Sequence, residues 1–91
     1  MLQHFYSIYD NNSKDHISII NYPNTPVALR SITHMLKSDK DSVYSQFPTD
    51  FSLYHVFSLD LSELSSEVIS DKLVDVDINL VCNFSELVSK E

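Results

Sequence analysis

Arg30, His34 and Lys37 follow one another at intervals of four and three residues, the spacing that stacks side chains along one face of a helix. With Lys40 just beyond, this short segment gathers three of the six Lys and Arg residues of the chain. Such a strip can pair with phosphates or with carboxylates on a partner. The same pattern is also what a solvated helix face looks like, with cations favoured near the negative end of the helix dipole. Arg30, His34, Lys37 and Lys40 are therefore the candidate partner-binding or phosphate-binding residues, weighed against a background in which surface helices are ordinarily charged.

The other reactive side chains make a poorer case. His4, His16, His34 and His55 include no pair at ligand spacing with each other or with a cysteine, so no metal site is expected. Asp75 and Asp77, with Asp71 nearby, could in principle do acid–base work or hold Mg²⁺. In an alternating segment they read better as the solvated side of a strand. Cys82 is the only cysteine; in the apolar run Leu80-Val81-Cys82 it is expected to be a buried, inert thiol. No nucleophile, base and oxyanion donor come together, so no catalysis and no cofactor are expected. The chain has no glycine at all, which excludes phosphate-cradling loops, dinucleotide-binding turns and nucleophile elbows.

Ninety-one residues, 43% of them hydrophobic, allow one domain spanning 1–91 with one modest core. The net charge of −7 disfavours naked nucleic acid and favours a protein partner, steered in by the acidic field if it is basic. No apolar run reaches the roughly 18 residues that cross a bilayer. Met1-Leu2-Gln3-His4 lacks the basic and apolar regions of a secretion signal. With a single thiol, these features lead us to expect a cytosolic protein with no membrane association.

Local patterns place the candidates on elements. Leu2 to Tyr9 and His16 to Tyr22 read as antiparallel strands joined by the polar turn Asp10 to Asp15. There Asn and Asp are expected to take the left-handed backbone that glycine would otherwise supply. Thr25-Pro26 predicts a helix start, with Thr25 as N-cap and Pro26 as first helical residue. Through Lys37, Ala28, Leu29, Ile32, Met35 and Leu36 fall on one arc, opposite the basic strip. Val43 to Phe47 predicts a short helical turn and Pro48-Thr49-Asp50 a reverse turn.

Phe51 to Leu59 predicts a strand with Phe51, Leu53, His55, Phe57 and Leu59 on one side. Leu61 to Asp71 reads as a loop with a short strand near Val68-Ile69. Val74 to Leu80 alternates as a half-solvated strand, and Phe84 to Lys90 as a terminal helix capped by Asn83 or Ser85. The expected fold is α+β: a small antiparallel sheet of about four strands with one main helix packed on one face.

In order, Phe5-Tyr6-Ser7-Ile8-Tyr9-Asp10, a helix with Ala28-Leu29-Arg30, Phe47-Pro48-Thr49-Asp50-Phe51-Ser52-Leu53-Tyr54-His55-Val56, and Asp60 resemble a known family. It is the small nonstructural protein of gokushoviruses, the single-stranded DNA phages of the Microviridae. That family shows a Tyr-Ser-x-Tyr-Asp opening, an Ala-x-Arg helix and Pro-x-Asp-Tyr/Phe-x-Leu before its next strand. The resemblance covers roughly residues 5 to 60. Beyond Asp60, Leu61-Ser62-Glu63-Leu64-Ser65 replaces the glycine-containing turn of the family.

The resemblance implies a nonstructural phage protein in the bacterial host cytoplasm. It would act in viral DNA replication, or in the switch to single-strand synthesis and packaging. Its expected partners are viral or host replication proteins or the procapsid, with a homodimer as a further option offered by exposed strand edges. The competing expectation is a weak single-stranded DNA-binding protein using the basic helix face.

Overall fold

The computed structural model describes residues 2–60 and 73–88. Four strands form one antiparallel sheet: β1 (Leu2–Asp10), β2 (Asp15–Tyr22), β3 (Phe51–Asp60) and β4 (Leu73–Asn83), in the order β2-β1-β3-β4. Helix α1 (Thr25–Ser38), the short helix α2 (Val43–Gln46) and a 3-10 turn (Pro48–Asp50) connect β2 to β3. Helix α3 (Phe84–Val88) follows β4 directly. The α+β expectation, with the main helix on one face of a four-stranded sheet, holds. The expected loop and strand within Leu61 to Asp71 lie outside the described residues, as do the side chains of Asp75 and Asp77.

β1 pairs with β2 on one side and with β3 on the other. As a central strand it buries consecutive residues, Tyr6, Ser7 and Ile8, instead of alternating. Tyr6 and Ile8 point to the helical layer and meet Phe51 and Leu53 of β3 there. Ala28, Ile32 and Leu36 of α1 are buried against them, and Leu29 and Met35 are half-buried, so the arc read from the sequence is the packed one. Phe84 and Leu87 of α3 complete the core.

The start of α1 differs by one residue from the expected cap. Asn24, not Thr25, is the N-cap: its side chain accepts from the Val27 backbone N–H at 2.9 Å. Thr25 is released to hydrogen-bond the hydroxyl of fully buried Tyr6 at 2.8 Å. A buried phenol needs such a partner, and that need sets which of two adjacent capping residues does the capping. At the other end, Ser45 Oγ donates to the carbonyls of Leu36 and Asp39, at 2.9 and 2.7 Å, satisfying acceptors that the helix leaves open.

The glycine-free corners are held by amides. Asn11 and Asn83 both donate to the Thr49 carbonyl and to Ser52 Oγ, tying the β1–β2 turn, the 3-10 turn and the end of β4 together. Asn83 also caps α3, accepting from Ser85 N–H, while Glu86 reaches back to the Asn83 N–H. This is a capping box. In the β1–β2 turn the left-handed residue is Lys14, with φ 62, and not one of the Asn or Asp residues expected there.

Bulges decide which side chains share a face. Phe5 pairs with Phe57 but Tyr6 pairs with His55, so Val56 is an extra residue in β3. Phe51, Leu53 and His55 therefore face the helices, whereas Phe57 and Leu59 turn to the opposite face. Strict alternation along Phe51 to Leu59 would put all five on one side. In β4, Ile78 and Leu80 are more than half exposed; of the apolar side expected to be buried there, these two residues are in solvent.

Candidate functional site

The basic strip is assembled by α1 and bounded by α3. Arg30, His34 and Lys37 line a shallow groove of about 410 Å³ with Leu29, Thr33 and Leu87. Arg30, His34 and Lys37 are exposed, Leu29 and Thr33 are half-buried and Leu87 is buried. The groove thus has cationic tips over an apolar wall. Its geometry follows from the helix period: Leu29 and Thr33, four apart, run parallel to Arg30, His34 and Lys37 on the next row. Leu87 arrives only because α3 packs beside α1, a contact that helical periodicity alone does not contain.

Lys40 falls outside this group. It lies beyond the α1 C-cap Asp39 and does not line the groove. Among the described residues, no hydrogen bond or ion pair engages Arg30, His34 or Lys37. In a chain with 13 acidic residues, the Arg30 and Lys37 cations, with the His34 imidazole between them, are available to solvent and can take a carboxylate or phosphate in charge-assisted contact.

A second cluster escaped the sequence reading. His4 of β1 and His55 of β3, 51 positions apart, hydrogen-bond through Nδ1 and Nε2 at 3.1 Å. Ser58 Oγ joins them, 2.9 Å from His4 Nδ1 and 3.4 Å from His55 Nε2. The Val56 bulge creates this group by keeping His55 and Ser58 on the same face despite their odd separation. The His55 and Tyr6 rings meet edge to face, with centroids 5.3 Å apart. Its polar atoms satisfy one another at the margin of the core, which is a packing role. Among the described residues no group of three or more His, Cys, Asp or Glu side chains could hold a metal ion.

The remaining chemistry-bearing residues are dispersed. His16 lies on the sheet face away from the helices, its Nδ1 hydrogen-bonded to Ser7 Oγ. Its ring meets Tyr9 at 4.8 Å and Tyr54 at 5.6 Å. Cys82 is half-buried and not, as expected, fully enclosed. Among the described residues, no helix is long and apolar enough to cross a membrane.

A family model described as "Phage ORF5 protein" matches residues 3–86. Searches of curated proteins and of solved structures each returned no match.

Proposed function

This chain belongs to the phage ORF5 protein family, and from that premise we propose that it is a non-enzymatic nonstructural protein of gokushovirus type. It acts in the host cytoplasm by contacting proteins of viral DNA replication, or of the switch to single-strand synthesis and packaging. The observation supporting this reading is the groove of Arg30, His34 and Lys37 over Leu29 and Leu87. A cationic rim on an apolar wall suits an acidic, partly apolar protein segment, because carboxylates meet the rim while aliphatic side chains fill the groove. The net charge of −7 works against a long phosphate backbone, which would have to pass the rest of the surface.

Affinity capture from infected cells with the wild-type chain and with Arg30→Glu/Lys37→Glu tests the proposal. A replication or procapsid protein retained by the first and lost by the second is the expected result. An identical set of captured proteins would sink the role of the groove. A salt titration with a single-stranded oligonucleotide decides the competing reading. Affinity that is measurable at low salt, falls steeply with salt and is abolished by the double substitution would make the groove a DNA-binding surface instead.

A further inference from the structure

The hydrogen bonds among His4, His55 and Ser58 satisfy these side chains, and they also fix three donor atoms at a spacing that has a second use. His4 Nδ1, His55 Nε2 and Ser58 Oγ form a triangle with edges of 3.1, 2.9 and 3.4 Å. Two ligand atoms held about 2.0–2.1 Å from one metal ion, at an angle between roughly 90° and 110°, lie about 2.9–3.4 Å apart. All three edges fall in that interval. The centroids of the two imidazoles are 5.3 Å apart, well beyond the 3.1 Å between the nitrogens, so the nitrogens are turned toward each other. All three residues are half-buried, so water reaches the cluster and can fill further coordination positions.

We propose that His4 and His55, with the Ser58 hydroxyl as a weaker third donor, bind one divalent transition-metal ion that favours nitrogen ligands, Zn(II) or Ni(II). Imidazole suits both ions. Among the described residues no group of three or more His, Cys, Asp or Glu side chains is available, so this is a two-histidine chelate open to solvent and not a closed structural centre. Both rings bind as neutral imidazoles. The proton that bridges the two nitrogens in the hydrogen bond moves to the other nitrogen of its own ring, so each ring presents a lone pair and a neutral pair loses no net proton.

The surroundings favour a cation. The residues paired with the three donors across the sheet are Tyr22, Asn79 and Asp75, none of them cationic, and the net charge of −7 attracts positive ions. No spacing in the sequence announces the site, because its histidines are 51 positions apart and meet only through strand pairing and the Val56 bulge. For the same reason the unfolded chain has no site, and binding stabilises the fold. The proposal does not depend on the basic groove, whose Arg30 and Lys37 repel such an ion.

Isothermal titration of the full chain with Zn(II), and separately with Ni(II), should show one ion bound per chain. His4→Gln and His55→Gln should each lower the affinity at least about tenfold. Ser58→Ala should lower it less, and His16→Gln, on the opposite face of the sheet, should leave it unchanged. Zn(II) should raise the thermal midpoint of the wild-type chain and not that of His4→Gln/His55→Gln.

The wild-type chain gives a reading that needs no substitution and so does not depend on a variant folding. Substoichiometric paramagnetic Ni(II) should broaden the ring-proton resonances of His4 and His55 before those of His16 and His34. Absence of Zn(II) and Ni(II) binding by the wild-type chain overturns the proposal and leaves the cluster with its packing role alone. Affinity undiminished in a folded His4→Gln/His55→Gln variant overturns it too. So does broadening of His16 or His34 ahead of His4 and His55, which would make the binding adventitious.

Discussion

Phe5 and Phe57 lie side by side across β1 and β3, their planes within 15° and their centroids 4.5 Å apart. Only the extra residue Val56 lets Phe57 reach this position, because strict alternation from Leu53 would have sent it into the helical layer. The pair should be energetically coupled. In a cycle of Phe5→Ala, Phe57→Ala and the double variant, urea denaturation should give a coupling of about 0.5–1.5 kcal/mol. A coupling indistinguishable from zero would mean that the two rings merely share a surface.

Asn24 and Thr25 should fail differently. Asn24→Ala removes the cap to Val27 and should cost about 1 kcal/mol. Thr25→Val leaves the buried Tyr6 hydroxyl without its partner, at a cost of about 1–3 kcal/mol. The same Thr25→Val change made in a Tyr6→Phe background should cost much less. Denaturation midpoints of the four variants check the assignment. A Thr25→Val cost that persists in the Tyr6→Phe background would refute it.

Lys14 carries positive φ in a chain that has no glycine. A Cβ in the left-handed region costs roughly 1 kcal/mol, so Lys14→Gly should stabilise the chain by about 0.5 kcal/mol after the greater freedom of the unfolded glycine is offset. Lys14→Val, branched at Cβ, should destabilise it. Thermal melts of the three proteins order them, and a glycine variant less stable than wild type would contradict the strain argument.

Substitutions in the basic groove should separate binding from stability. Arg30→Glu replaces an exposed side chain that no ion pair among the described residues engages, and should change stability by less than about 0.5 kcal/mol. Lys37 is the basic residue in the last turn of α1. Lys37→Glu should cost about 0.5–1 kcal/mol, because it places a negative charge at the negative end of the dipole. Loss of partner capture in the double variant is interpretable only if it remains folded at the assay temperature, which calorimetry determines.

Much of the architecture was legible because it rests on local physics. The helical period of Ala28, Leu29, Ile32, Met35 and Leu36 specified α1 and its packed side, and Arg30, His34 and Lys37 were placed opposite by the same arithmetic. Aromatic and β-branched runs located the strands, and the polar segment after Asp10 located the first turn. Absence of glycine by itself excluded the phosphate-cradling loops.

What tertiary structure alone decided are the places where one residue more or fewer changes the outcome. The Val56 bulge sent Phe57 to the open face, and it set His55 and Ser58 beside His4. The buried Tyr6 hydroxyl claimed Thr25 and moved the cap to Asn24. Packing of α3 against α1 brought Leu87 to the basic strip and made it a groove. The physical reason is common to all three. Periodicity and propensity act over neighbouring residues, whereas a bulge, a buried hydroxyl and a helix contact are settled by partners far away in the chain, whose energies of about 1 kcal/mol each suffice to choose between adjacent local solutions.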